Sequence, residues 1–286
     1  MQQTHLRDYS SYLFDLDGTI YVGDKVLDGA AATIQALQES TKKTMFATNT
    51  TLYTREEVRD KLAGFGISCK TEEVITALSV AGMYFRDFAT GSKVFLLGCD
   101  AMEEEMRRFG IAVTGEVMQA THVLVGLDRT FDFDKMTAVV NAIRNGAQLV
   151  GANPDPFCPV EEGVIPDTWA FIKAIETASG IPVSVTLGKP TNYYASYALK
   201  QLRNGPEKCL MVGDRLDTDI ALGKSIGMHT ALVLTGVDSR ESIARTGIHP
   251  DYVCSSIKDI LEEHRFEPEA NFYPGNNLHL SMKEGI

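Results

Sequence analysis

Two aspartates stand two residues apart in FDLDGTIYVGD, residues 14–24, at the end of the apolar run Tyr12–Phe14. Asp15 and Asp17 leave a strand together and meet Gly18 and Thr19 at once, a pair that lets the backbone turn tightly. Two more polar clusters close short apolar runs: Thr48 and Asn49 after Thr44–Ala47, and Asp214, Asp217 and Asp219 after Cys209–Val212. Carboxylates held close together do not all ionise comfortably without a cation. Hard oxygen ligands of this kind suit Mg²⁺, which takes few carboxylates and completes its shell with water and substrate phosphate. A carboxylate can also attack phosphorus, forming an aspartyl phosphate. Phosphoryl transfer then needs an in-line attacker, charge neutralisation around the transferring oxygens and a proton for the leaving group. Lys189, in LGKP, can supply a fixed positive charge, and Thr48 and Asn49 can donate hydrogen bonds to phosphoryl oxygens.

The elements that must position these residues alternate strand and helix, which predicts a parallel α/β sheet. Strands are expected at Tyr12–Phe14, Thr44–Ala47, Cys209–Val212, Ala231–Leu234 and Tyr252–Cys254. Ala30–Gln38 has helical spacing, and Thr54-Arg55-Glu56-Glu57 matches a capping box that opens another helix. Glu72–Phe88 reads as one helix, and Ile257–His264 as the last. The rhythm restarts near residue 92, with strands at Val94–Leu97, Val123–Leu127 and Gln148–Gly151 and helices at Met102–Phe109, Asp134–Arg144 and Trp169–Ala178. A loop rich in Pro, Asp and Glu spans residues 153–167. This middle stretch has the size of a self-contained α/β layer. In open α/β sheets the ligand crevice lies at the carboxyl ends of the strands, where all three polar clusters fall.

Rival motifs fail on single positions. A calcium loop starting at Asp15 needs Gly where Ile20 stands and Asp or Asn where Thr19 stands. A phosphate-binding loop ending in Gly223-Lys224-Ser225 needs Gly where Thr218 stands, and the segment lies in an expected helix. Asp217 reads as a helix cap. His122, His229 and His249 have no metal-ligand spacing and read as structural. The 286 residues carry 27 Lys and Arg against 38 Asp and Glu, a net charge of −11 without a basic block, so nucleic acid and anionic membrane are poor partners. The five cysteines are scattered, with no CxxC, and read as reduced thiols. No apolar run reaches 18 residues and no signal-peptide core opens the chain, so a cytoplasmic protein is expected. The polar tail after Arg265, punctuated by Pro and Gly, reads either as disordered or as packing on a partner.

The ordered set DLDGT, TN, GKP and GDRLDTDI resembles the haloacid dehalogenase superfamily. DGTIY and the place of the middle segment resemble its NagD-like class IIA phosphatases, of sugar-phosphatase or 4-nitrophenylphosphatase type. The resemblance implies a Rossmann-like parallel-sheet core, residues 1–82 and 188–286, with an inserted α/β cap of C2 type, residues 83–187, that selects substrate. It implies a Mg²⁺-dependent phosphatase hydrolysing small phosphomonoesters (sugar, polyol or nucleoside monophosphates) through an aspartyl phosphate. Asp15 then resembles the nucleophile and Asp17 the general acid and base. Thr48, Asn49 and Lys189 resemble the phosphate-binding residues. Asp15, the main-chain oxygen of Asp17 and Asp214 resemble the metal ligands, and Asp219 orients Lys189 or metal-bound water. The expected partners are a small phosphate ester and a second copy of the chain through the cap.

Two departures stand out. TNTT, residues 48–51, replaces the usual TNN-Ser, and IPDTW, residues 165–169, replaces a small-residue pair in the cap. Asn153, Asp155, Asp167 and Trp169 are therefore expected near the leaving group, with Asp167 accepting hydrogen bonds from hydroxyls and repelling a second anion. An equal alternative has Asp167 capping the next helix and Trp169 packing the cap core. A phosphomutase on the same core competes with hydrolysis. A receiver-like signalling protein, phosphorylated on aspartate, is about half this size and lacks both the second acid and the insertion.

Overall fold

The computed structural model describes residues 5–160, 163–202 and 204–262. Six parallel strands form the larger sheet, in the order Tyr252–Cys254, His229–Val233, Cys209–Gly213, Ser11–Phe14, Lys43–Thr48 and Val74–Thr76. Two strands from the first part of the chain, Lys43–Thr48 and Val74–Thr76, run outward on one side of Ser11–Phe14, and three from its last part on the other. The strand order thus reverses between Ser11–Phe14 and Cys209–Gly213, the place where open α/β sheets bind ligands. Register sets Phe14 against both Val212 and Phe46, so Asp15, Thr48 and Asp214 emerge together.

Ser11–Phe14 and Cys209–Gly213 are buried along their whole length, as expected of strands covered on both faces. Alternation sends Tyr12, Phe14, Phe46 and Val212 into one apolar layer with Ile34, Leu37, Val58 and Leu62. It sends Leu13, Met45, Ala47 and Met211 into another with Leu78, Tyr194 and Ala198. That second layer continues into the inserted segment through Met102, Leu124 and Val150.

The inserted segment carries its own five-stranded parallel sheet, ordered Val185–Thr186, Gln148–Gly151, His122–Val125, Lys93–Leu97 and Ala112–Val113. Helices Phe133–Arg144 and Thr168–Ser179 pack on it through Val139, Ile143, Ile172 and Ile175. The α/β class and parallel sheets expected from the sequence are present. Residue 83, the expected start of the insertion, lies within the helix Ala77–Asp87.

Three elements differ from expectation. The helix expected over Glu72–Phe88 begins at Ala77, because the β-branched run Val74–Thr76 adds the sixth strand beside Lys43–Thr48. The 153–167 loop holds an antiparallel hairpin, Phe157–Val160 against Gly163–Pro166, whose prolines are tolerated because both strands are edges. Ile257–Ile260 is a single 3₁₀ turn; His264 and the tail after Arg265 lie outside the described residues. Among the described residues no helix is long and apolar enough to cross a membrane.

Tyr194, fully buried on helix Asn192–Leu202, ties the layers beneath the ligand crevice. Its hydroxyl lies 2.9 Å from the Ile75 carbonyl and 3.3 Å from that of Thr48. Tyr194→Phe leaves buried carbonyl oxygen without this donor and should lower stability by about 1–3 kcal/mol in urea unfolding; an unchanged midpoint would show the tie to be idle.

Candidate active site

Lys189 forms the centre of the site. Its side chain is 2% exposed, and its ammonium donates to Asp15 Oδ1 at 2.5 Å, Asp219 Oδ1 at 2.7 Å and the Ala47 carbonyl at 3.1 Å. All three donors of the ammonium are satisfied. Burial favours loss of its proton, but Asp15 and Asp219 override this and hold its pKa well above the ordinary value. Burial also pushes the Asp15 carboxyl up, and Lys189 pulls it back.

The Lys189 backbone is fixed by Asn49, whose Oδ1 accepts from Lys189 N at 2.7 Å and whose Nδ2 donates to the Lys189 carbonyl at 3.2 Å. The Asn49 side chain, read from sequence as a phosphate donor, is therefore engaged in holding the lysine. Asn153 of the insertion donates to the Asn49 carbonyl at 2.7 Å. Gly188 permits this packing, since a Cβ there would lie 2.6 Å from that of Asn153. Thr48 lines the cavity; its Oγ1 accepts from Thr50 N at 3.0 Å, leaving its own proton to donate.

Asp214 lies across from Lys189. Val237 N donates to its Oδ2 at 2.7 Å, while its buried Oδ1 has no partner. Gly18, at φ +87°, and Gly236 crowd this carboxylate so closely that any side chain at either position would strike it. Burial, then Asp15 and Asp219, raise the Asp214 pKa well above the ordinary value, and burial with Asp15 moves Asp219 up to about 6. Oxygens of Asp15, Asp214 and Asp219 lie within 4.8 Å of one another. Three buried carboxylates beside one ammonium, one carrying an unpartnered oxygen, fit a divalent cation.

Asp17 opens onto the same cavity. Its side chain is exposed to that space, yet the surrounding protein desolvates the carboxyl and raises its pKa, with Lys61 and Lys189 opposing. The chain after it folds into the short hairpin Tyr21–Val22 and Lys25–Val26, anchored where Gly18 N donates to the Tyr21 carbonyl at 2.8 Å and Thr235 Oγ1 to that of Gly18 at 2.6 Å.

The cavity holds about 280 Å³. Asp15, Asp17, Thr48, Lys189 and Asp214 line it, together with Asp155, Phe157, Cys158 and Asp167 of the insertion and Arg215. Asp167 caps the next helix, as the alternative reading expected. Its Oδ1 accepts from Thr168 N at 2.5 Å at the head of helix Thr168–Ser179, and the residue also faces the cavity. Trp169 packs in the insertion core under Lys173 instead. Asp217 caps no helix; it is exposed and contacts Arg215 at 3.3 Å, because a π turn over Leu216–Ile220 begins at Arg215. Sequence reasoning missed Arg215; its available signal was a lone base inside an acidic motif.

Profiles of haloacid dehalogenase-like hydrolases match residues 12–112 and 186–260. The sugar-phosphatase AraL of Bacillus subtilis is 33% identical over 250 residues, covering 87% of this chain and 91% of that one. The chain belongs to the haloacid dehalogenase-like hydrolases. The acid sugar phosphatase of Staphylococcus aureus is 32% identical over 257 residues, 90% of this chain and 97% of that one. Among solved structures, p-nitrophenyl phosphatase from Archaeoglobus fulgidus superposes with a TM-score of 0.83 at 32% identity, covering 88% and 98% of the two chains. NagD from E. coli K-12 gives 0.79 at 26%, covering 87% and 97%. The superfamily resemblance read from the four motifs, and the class IIA resemblance read from DGTIY and the place of the insertion, agree with these relatives.

Asp155 offers a stability test within this hydrolase. Burial first, with Asp167 adding, raises its carboxyl from 3.8 to about 6, against Arg215. A raised acid contributes stability below its unfolded value that is lost as pH rises through the folded value. Asp155→Asn should therefore gain on the wild type between about pH 4 and pH 6–7, by up to about 3 kcal/mol, and hold that gap above. Urea midpoints across this range check it; a gap independent of pH would contradict it.

Proposed function

We propose that the chain is a Mg²⁺-dependent phosphomonoesterase of small hydroxylated phosphate esters, working through an aspartyl phosphate on Asp15. The observation that carries this is the buried Lys189 ammonium bridging Asp15 and Asp219 in the lining of a cavity that Asp17, Thr48 and Asp214, with its unpartnered oxygen, also line. The phosphatase names of the relatives support it.

Substrate phosphate enters beside Asp15, with the Thr48 hydroxyl meeting an oxygen and the Lys189 charge, held against Asp15, neutralising the centre electrostatically. An Asp15 oxygen attacks phosphorus, and the bond from phosphorus to the leaving oxygen breaks. Asp17 gives its proton to that oxygen, a task for which a raised pKa suits it. Asp17 then takes a proton from water as the water oxygen attacks phosphorus, releasing inorganic phosphate and restoring the Asp15 carboxylate. Asp15, Asp214 and the main-chain oxygen of Asp17 would hold Mg²⁺, which when bound supplies neutralising charge. Asp219 positions Lys189. The residues of the insertion, including Asp167, line the cavity and choose the leaving group, with Asp167 favouring hydroxyls over a second anion.

Phosphate release from sugar phosphates, glycerol phosphates, nucleoside monophosphates and p-nitrophenyl phosphate tests the reading, with Mg²⁺ and with EDTA. Asp15→Asn should lose at least about 10³-fold in kcat. Asp17→Asn should lose about 10²- to 10⁴-fold on alkyl esters, but less on p-nitrophenyl phosphate, whose leaving group departs without a proton. Full turnover by Asp15→Asn, or no wild-type turnover of any ester, would overturn the proposal.

A further inference from the structure

The steps above assign no role to one charged pair that lines the cavity, Asp155 and Arg215. Asp155 is 9% exposed and lines the cavity, yet its Oδ1 has no hydrogen-bond partner. A buried carboxylate oxygen without a donor is costly and marks a place where one belongs. The nearby cation does not fill it: Arg215 Nη1 lies 3.9 Å from that oxygen, beyond hydrogen-bond reach. The Arg215 backbone is anchored, its N donating to Asp219 Oδ2 at 3.1 Å, but its guanidinium has only 3.3 Å contacts to exposed Asp217 and the Phe157 ring 5.8 Å from Cζ. Asp155 is fixed firmly. Its N donates to Asn153 Oδ1 at 3.0 Å, and its carbonyl accepts from Trp169 N at 3.0 Å.

The chemistry of the gap selects its occupant. An anionic group would suit Arg215 but would face Asp155 and Asp167, and a cation would meet Arg215. A hydroxyl satisfies both sides, because its oxygen accepts from the guanidinium while its hydrogen goes to the carboxylate. The carboxylate comes from the insertion and the guanidinium from the loop after Asp214, so the pair closes around whatever extends from the phosphate. We infer that Asp155 and Arg215 form a leaving-group subsite that clamps one hydroxyl of a sugar or polyol phosphate, with Asp155 determining specificity. The subsite rests on the phosphomonoesterase reading.

The test compares esters matched in chain length: sorbitol 6-phosphate with hexyl phosphate, and glycerol 1-phosphate with propyl phosphate. Ratios of kcat/KM within each pair are measured for the full chain with Mg²⁺, as wild type, Asp155→Asn and Asp155→Ala, with thermal unfolding to confirm the fold. The wild type should prefer the hydroxylated member of at least one pair. Asp155→Ala should cut that preference about 10- to 100-fold, the loss expected for a charged hydrogen bond, and Asp155→Asn should cut it less. A preference that survives in a folded variant overturns the subsite. So does a wild type indifferent to hydroxyls, a result that needs no variant to fold. A wild type that hydrolyses none of the four esters, nor p-nitrophenyl phosphate, refutes the phosphatase reading itself, whereas turnover without hydroxyl dependence refutes the subsite alone.

Discussion

The site depends on one buried ammonium held between two buried carboxylates. Removing charges from water costs several kcal/mol per ion, and close opposite charge repays it only when the geometry is good. Lys189 meets that condition with a full set of acceptors, Asp15, Asp219 and the Ala47 carbonyl. The balance still leaves the cluster short of positive charge. Asp214 carries the deficit, with an oxygen that no donor reaches and a pKa pushed well up. An acidic protein can thus build a site for an anion, because the local sign is set by one lysine and by the cation the carboxylates can hold.

Much of the surrounding structure keeps that triad in place. Glycines at 18 and 236 make room for Asp214, and the glycine at 213 makes room for Asp219. Asn49 grips the backbone on both sides of the lysine's Cα and is itself gripped by Asn153. Thr51 adds a second stitch to the insertion, its Oγ1 accepting from Leu127 N at 2.9 Å. Where TNTT replaces the usual TNN-Ser, the hydroxyl of Thr51 therefore serves the joint between the two layers.

Legibility in the sequence followed residue chemistry. Asp15, Asp17, Lys189, Asp214 and Asp219 were readable because polar residues ending apolar runs have few uses, and the fold brings all five to one cavity. The role of Asn49 was not readable, since an amide at that position can bond a phosphate or a backbone equally well. Val74–Thr76 was hidden because it passes into a helix with no turn residue between. The Phe157–Pro166 hairpin was hidden by prolines that signal a loop. Arg215 was hidden because its partner, Asp155, is delivered by a distant segment.

That separation bears on how the molecule is made. Asp15 and Lys189 are 174 residues apart, and Ser11–Phe14 pairs with Cys209–Gly213, which is synthesised later still. A nascent chain must therefore carry half of its main sheet, with the edge of Ser11–Phe14 open, while the whole insertion is translated. Pairings this distant make folding slow and expose unpaired edges to other chains. The inserted sheet, whose strands are all contributed by 93–186, can form first and bring Asp15 and Lys189 within reach.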